Sequence, residues 1–231
     1  MEINKNKDLQ RIQNSILSKT EKRVLIKLAS KIPHNITPDH LTILGFLGSL
    51  ITGISYFLTG YSIIFFWVAS LGLIINWFGD SLDGTLARLR NIQRPLYGFF
   101  IDHNTDALSA LVISLGVGLS PYFSLSLILI LLIGYYLLSI LTYINSILLN
   151  YFKISYGIFG PTELRLFIII VNAILFFTID DMPVLNIVGY KILLTDFFAI
   201  FISIVLYVLY IYYFITARRE YVKLDPPKDI K

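Results

Sequence analysis

Apolar residues run almost unbroken through this chain in stretches close to the ~20 residues that cross a bilayer as a helix. Uncharged runs extend from Leu41 to Gly60, Ser62 to Phe78, Tyr122 to Leu149, Leu164 to Ile179 and Phe197 to Ala217. One more, Tyr97 to Gly118, has the same character but contains Asp102 and Asp106. The pattern predicts an all-α, polytopic membrane protein with six transmembrane helices. Between Asp180 and Asp196, the apolar residues Val184, Leu185, Ile187, Val188 and Leu193 are interrupted by Pro183, Gly189 and Lys191, so this segment reads as a loop against the interface. Ahead of the first run, Leu9, Ile12, Ile16, Val24 and Leu28 recur near helical spacing among lysines and arginines. That arrangement predicts an amphipathic helix in the headgroup plane. Two prolines, Pro33 and Pro38, make Ile32 to His40 a hinge, with Thr37 or Asp39 as N-cap of the first span. The expected organisation is residues 1–36 as interfacial helix and hinge, 37–217 as the six-helix domain and 218–231 as a tail.

Composition removes the competing classes. Of 231 residues, 56% are hydrophobic and 15% charged, against about 25% charged in soluble domains. A cytosolic enzyme, a disordered chain and a fibrous chain are thereby excluded. There is no cysteine, hence no disulfide, thiolate nucleophile or Cys-ligated metal. The placement of basic residues sets the expected orientation, because Lys and Arg gather in cytoplasmic loops. Eight lie before Pro33, Arg88, Arg90 and Arg94 lie between the second and third spans, Lys153 and Arg165 between the fourth and fifth, and five in the tail. Six spans put all of these, 18 of the 19, on one face, with both termini cytoplasmic. The basic, weakly apolar start makes a cleavable signal peptide unexpected.

Candidate chemistry sits in the second and third spans. Carboxylates are costly inside a bilayer and mark function by default. Asp80 and Asp83 are spaced i, i+3, and Gly84, Ala87 and Arg88 continue the same helical face. Gly98, Asp102 and Asp106 repeat at i, i+4 and i+8, again on one face. The short connection makes the two helices antiparallel neighbours, so the acidic faces are expected to meet. Four carboxylates converging there repel one another, and divalent cations relieve the repulsion. Oxygen ligands without Cys or paired His favour Mg²⁺, Mn²⁺ or Ca²⁺ over zinc or copper. Such a set suits two ions about 3.5–4 Å apart, a clamp for the attacking and leaving oxygens of a phosphoryl transfer. Gly84, Ala87 and Gly98 leave room for a ligand at the backbone, and Arg88 complements a phosphate.

The stretch Asp80 to Asp106 resembles the signature of the CDP-alcohol phosphotransferases, D-x2-D-G-x2-A-R followed by G-x3-D-x3-D. Asp80, Asp83, Gly84, Ala87 and Arg88 match the first half, and Gly98, Asp102 and Asp106 the second. Leu89 to Tyr97 make the intervening connection one residue longer than the usual pattern. The six spans and Pro38-x-x-Leu41-Thr42 are also similar to the family. The resemblance implies transfer of a phospho-alcohol group from a CDP-alcohol to an acceptor hydroxyl, with release of CMP, in phospholipid biosynthesis. It implies Asp80, Asp83 and Asp102 as metal ligands and Asp106 as a further ligand or the general base. It implies Gly84, Ala87, Arg88 and Gly98 around the CDP moiety, two Mg²⁺ or Mn²⁺ ions, and a homodimer. The partners expected are CDP-alcohol and lipid substrates and membrane lipids, and no nucleic acid.

Two donor–acceptor pairings stay open: CDP-diacylglycerol with a polar or phosphorylated alcohol, and a polar CDP-alcohol with a lipid hydroxyl. Asp102-His103-x-x-Asp106 and Gly160-Pro161-Thr162-Glu163 are similar to choline and ethanolamine phosphotransferases and lean toward the second. For His103, a hydrogen-bonded packing role competes with a catalytic one. For Gly160 to Glu163 the plainer reading is a helix start, with Thr162 as N-cap and Glu163 in the first turn. Asn76, one turn before Asp80, reads as a site neighbour or an interhelical hydrogen bond. Arg90, Arg94, Lys153 and Arg165 are candidate cations for an anionic acceptor. Tyrosines and phenylalanines read mostly as lipid-facing or interfacial anchors. A cation transporter is the rival class, since intramembrane Asp residues also line ion paths. It leaves Gly84, Ala87 and Arg88 on the acidic face unexplained, and no inverted repeat is visible.

Overall fold

The computed structural model describes residues 10–12, 17–149, 151–153, 160–179, 184–187 and 190–227. Among the described residues seven helices dominate: α1 (Ser18–Ala29), α2 (Pro38–Leu58), α3 (Phe65–Leu89), α4 (Pro95–Gly118), α5 (Leu125–Leu149), α6 (Pro161–Thr178) and α7 (Leu194–Leu224). Two short strand pairs accompany them: β1 (Gln10–Ile12) runs parallel to β2 (Tyr151–Lys153), and β3 (Val184–Ile187) antiparallel to β4 (Tyr190–Leu193). Among the described residues, α2, α3, α5, α6 and α7 are long and apolar enough to cross a membrane. Helix α4 has 24 residues, length enough to span, but Asp102, His103, Asn104 and Asp106 dilute its hydropathy. Within the segment expected as a loop, β3 and β4 pair antiparallel, and α7 begins three residues before Phe197 and continues without a break to Leu224.

Helix α2 is the centre of the bundle, packing most extensively on α3 and then on α4. Small residues make that closeness possible. A Cβ on Gly48 would lie 2.7 Å from the Gly72 carbonyl oxygen, and one on Gly53 2.6 Å from the Val112 carbonyl oxygen. Beyond this core α6 packs on α3, and α5 joins α4 to α7. Helices α3 and α4, expected as packed neighbours, have almost no close backbone contact. Because α2 sits against both, their acidic faces look at each other across a gap.

The sequence explains both ends of the α3–α4 connection. Helix α3 stops in a C-terminal motif in which Asn91 adopts φ 55° and Ile92 N–H donates to the Ala87 carbonyl, 3.0 Å. Asn tolerates the left-handed conformation better than most residues. Helix α4 then opens on Pro95, whose missing N–H costs nothing in the first turn. Arg90, half-buried beside this connection, donates to the carbonyls of Ile32 (2.9 Å), Pro33 (2.9 Å) and Ile36 (2.6 Å). Its guanidinium therefore holds the hinge and is spent there, which corrects its reading as a cation for the acceptor. At the far side of the hinge Thr37 is the N-cap of α2, accepting from His40 N–H at 3.3 Å.

Helix α1 is amphipathic, but its phase differs from expectation. Leu25 and Ala29 are buried in a cluster with Leu41, Leu82 and Leu86, whereas Val24 is 42% exposed. The expected stripe assumed one helix reaching back to Leu9. Here α1 starts at Ser18, Ile12 lies in β1, and Leu9 and Ile16 fall outside the described residues. At the opposite end of the bundle Asp196, 1% exposed, accepts from Ser124 N–H and Oγ, both at 2.9 Å, and from Leu193 N–H at 3.2 Å. One carboxylate thus ties the start of α5 to the start of α7. Between the two ends, Tyr56 OH donates to Asn172 Oδ1 (2.7 Å), and Asn172 Nδ2 donates to Ser70 Oγ (3.0 Å), which joins α2, α6 and α3.

Candidate active site

Asp80 and Asp83 lie in the last three turns of α3, and Asp102 and Asp106 in the third and fourth turns of α4. All four are partly buried, and their mutual electrostatic interaction marks the space between α3 and α4 as one shared cleft. Ligand atoms of Asp102, His103 and Asp106 lie within 4.8 Å of one another. Asp102 is within electrostatic range of Asp80 and Asp83, and Asp106 of all three others. The two acidic faces are thus brought together, across the gap that α2 maintains rather than by direct helix contact.

Each carboxylate of α3 has a partner on another element or in its own backbone. Asp83 Oδ2 accepts from Thr42 Oγ1 at 2.7 Å, and Asp83 Oδ1 from Gly84 N–H. Asp80 Oδ2 accepts from Arg165 Nη2 at 2.6 Å. Arg165 Nε donates to Asn76 Oδ1 at 2.8 Å, and Asn76 Nδ2 donates to the Gly45 carbonyl (3.0 Å) and to Ser49 Oγ (2.9 Å). Asn76 therefore does both things anticipated for it: it crosses to α2 and it touches the site. Arg88 Nη2 donates to Thr85 Oγ1 at 3.1 Å, and its guanidinium stands next to Gly84, 3.3 Å from where a Cβ would be. Ala87 is partly buried one residue before it, and Gly98, exposed, has nothing within 4 Å of an added Cβ. The space around Gly98 is open to a ligand.

Helix α5 supplies a wall that sequence reasoning passed over. Tyr135 and Tyr143, read as generic anchors, are within electrostatic range of Asp106. Tyr143 stacks on the buried His103 with ring centroids 4.4 Å apart, and Phe99 covers the imidazole at 4.1 Å. His103 Nδ1 is 3.5 Å from Asp102 Oδ2. An imidazole held between two rings has its orientation fixed by packing, which favours the packing role. The spacing of Tyr135 and Tyr143, two turns apart on one face, was the available signal.

The start of α6 is arranged differently from the expected cap. Gly160 is the N-cap, its N–H donating to Glu163 Oε2 at 3.0 Å, while Leu17 N–H donates to Glu163 Oε1 at 2.9 Å. Thr162 Oγ1 donates to Glu21, which also accepts from Trp77 Nε1 at 3.0 Å. These bonds clamp α1, α3 and α6 together and set Arg165, one turn into α6, over Asp80. Arg94 stays at the surface, 3.7 Å from Asp39 and over the ring of Tyr97. Lys153 has no described side chain.

The donor set fits divalent cations. It consists of four partly buried carboxylates, with Arg165 paired to one of them, and carboxylates are the ligands hard cations take. A polytopic helical bundle with a carboxylate cleft, an adjacent guanidinium and an open glycine flank defines the class.

The chain belongs to the CDP-alcohol phosphatidyltransferase family, whose sequence model matches residues 35–217. Family members depend in general on divalent metal. Over 104 residues the chain is 34% identical to archaetidylinositol phosphate synthase of Pyrococcus horikoshii, an alignment covering 45% of this chain and 52% of the relative, so it spans about half that protein's length. The fold is similar to that of the phosphatidylinositol phosphate synthase of Mycobacterium tuberculosis, solved with CDP-DAG bound. The TM-score is 0.53 at 19% identity, with 90% of this chain and 98% of the other covered.

Proposed function

We propose that this protein transfers a phospho-alcohol group from a CDP-alcohol to an acceptor hydroxyl and releases CMP. The observation that carries the reading is the meeting of Asp80, Asp83, Asp102 and Asp106 across one cleft, with Arg88 and the open flank of Gly98 beside it. Asp80, Asp83 and Asp102, with Asp106 contributing, would hold two Mg²⁺ or Mn²⁺ ions, and the ions would supply Lewis-acid stabilisation of developing negative charge. Gly84, Ala87 and Gly98 admit the cytidine moiety, and Arg88 holds the diphosphate. Asp106 accepts the proton of the acceptor hydroxyl as its oxygen bonds to the phosphorus bearing the alcohol. The bond from that phosphorus to the CMP oxygen breaks, and CMP leaves with the electron pair.

For substrates, we favour a CDP-activated lipid as donor and a phosphorylated polyol as acceptor. The archaetidylinositol phosphate synthase likeness supports this. The opposite pairing, a polar CDP-alcohol with a lipid hydroxyl, draws on the Asp102-His103 and Gly160–Glu163 similarities. Helix α4 is the third of six spans, both termini and the Arg88–Arg94 connection face the cytoplasm, residues 37–217 form the catalytic domain, and the working unit is a homodimer. The deciding test is CMP release by purified protein with Mg²⁺, offered CDP-diacylglycerol with inositol phosphate in one series and CDP-choline with diacylglycerol in the other. CMP in the first series alone fixes the favoured pairing; CMP in the second alone reverses it; CMP in neither, with any CDP-alcohol, refutes the transferase reading.

A further inference from the structure

Arg165 occupies a ligand that the transferase reading assigns to a metal. Its Nη2 is 2.6 Å from Asp80 Oδ2, and the side chains of the pair are 16% and 24% exposed. Such a pair is shielded enough to have more strength than a surface ion pair. The guanidinium is also anchored from behind. Both donor contacts of the Asn76 amide nitrogen go to α2, so its oxygen is left facing Arg165 Nε at 2.8 Å. The anchor aims Nη2 at Asp80, and the Glu21 and Glu163 bonds that fix the start of α6 hold its backbone in place.

A carboxylate oxygen bound this tightly to a guanidinium is withdrawn from a cation. Removing the guanidinium without a replacement leaves a partly buried carboxylate among three others, which is strongly unfavourable. Resting on the transferase reading, we propose that Arg165 is a positioning residue that acts as a built-in counter-ion: it neutralises Asp80 in the cation-free protein and must release that carboxylate when the divalent ion loads. Arg165 thereby sets the cation concentration at which the site fills, and its Nε bond to Asn76 keeps it in the cleft after release. Nothing in the signature motif reports this, since Arg165 lies 85 positions from Asp80.

The test is Mn²⁺ binding to purified protein without substrate, read from the free-Mn²⁺ electron paramagnetic resonance signal, for wild type, Arg165→Gln, Arg165→Lys, Asp80→Asn and Asp80→Asn/Arg165→Gln. Arg165→Gln is expected to bind Mn²⁺ about ten- to a hundredfold more tightly, the scale of one charge-assisted hydrogen bond. Arg165→Lys keeps the charge but loses the planar, Asn76-anchored fork, so it is expected to bind more tightly by a smaller factor. In the Asp80→Asn background the gain should vanish. Unchanged or weaker binding in Arg165→Gln, wild-type affinity in Arg165→Lys, or a gain that persists undiminished without Asp80 overturns the proposal, the last by reducing Arg165 to a distant charge. CMP release by the wild type is measured alongside. Wild type that releases CMP while Arg165→Gln gains no affinity defeats the counter-ion alone, whereas wild type that neither binds Mn²⁺ nor releases CMP defeats the transferase reading with it.

Discussion

Gly79→Ala is expected to damage the site through packing alone, without touching a charged group. A Cβ at this position would meet the Gly45 nitrogen and the Leu41 carbonyl oxygen and would lie 2.6 Å from Gly45 Cα. Ordinary carbon contacts are about 3.5–4.0 Å, so α2 and α3 must separate locally by about 1 Å. All three contacts are backbone atoms, so no flexible side chain can yield. Overpacking typically costs about 1–3 kcal/mol, and the rigidity of this contact places Gly79→Ala near the upper end, ~3 kcal/mol. The separation also pulls Thr42 from Asp83, whose 2.7 Å bond crosses the same two helices. A misplacement of about 1 Å in a catalytic constellation can lower turnover by about 10²-fold.

The assay pairs thermal unfolding in detergent with CMP release at saturating Mg²⁺, and Gly98→Ala is the control. An added Cβ there meets nothing within 4 Å, so its stability should match wild type. Its donor KM should rise, because the new methyl group occupies space proposed for the CDP moiety. If Gly79→Ala unfolds at the wild-type temperature and turns over at the wild-type rate, the glycine contact does not set the carboxylate positions and the reasoning fails.

Other perturbations separate binding, chemistry and topology. Asp80→Asn, Asp83→Asn and Asp102→Asn should each lower activity by weakening cation binding, and full activity in excess chelator would contradict this. Asp106→Asn should leave donor affinity nearly intact while lowering turnover about 10²- to 10⁴-fold, whereas Arg88→Ala should weaken donor binding; loss of donor binding in Asp106→Asn would make it chiefly a ligand. Single cysteines at positions 5, 92 and 228 should label only from the cytoplasm and one at position 120 only from outside, on a background without cysteine; label reaching 120 from the cytoplasm breaks the six-span model. Arg90→Ala removes the donors to Ile32, Pro33 and Ile36, so limited proteolysis within 32–37 should accelerate; an unchanged cleavage rate would show that the hinge is held by other means.

What the sequence made legible were features with short range. Spans follow from run length, and the two acidic faces from i, i+3 and i, i+4 spacing, which a helix imposes on its own residues. Contacts between distant segments carry no such period. Thr42 reaches Asp83 across 41 positions, Arg165 reaches Asp80 across 85, and Arg90 reaches back 58 positions to Ile32. Each is a polar residue whose type allows many partners, so its partner is chosen by which helices pack together. In the α1 stripe Leu28 packs as expected and one position shifts for a related reason: Val24 and Leu25 both suit an apolar face, and docking against Leu82 and Leu86 selected Leu25. The position of Thr162 also permitted a cap, but Glu21 claims its hydroxyl and leaves capping to Gly160.

The gap between α3 and α4 follows from the same packing. Two helices joined by a short connection would ordinarily close on each other, and four carboxylates between them would then be buried without room for a counter-charge. Instead, glycines draw α2 against both: Gly45, Gly48, Gly72 and Gly79 on the α3 side, and Gly53 with Gly116 on the α4 side. With α2 held at backbone contact distance from each, the acidic faces of α3 and α4 converge with almost no close backbone contact between the two helices. On the proposed transferase reading this position has to admit cations and substrates, and a spacer made of backbone fixes the separation of the two acidic faces with the least dependence on side-chain motion. The glycines of α2 and the aspartates of α3 and α4 are thus parts of one device, the first fixing the separation at which the second can share ions.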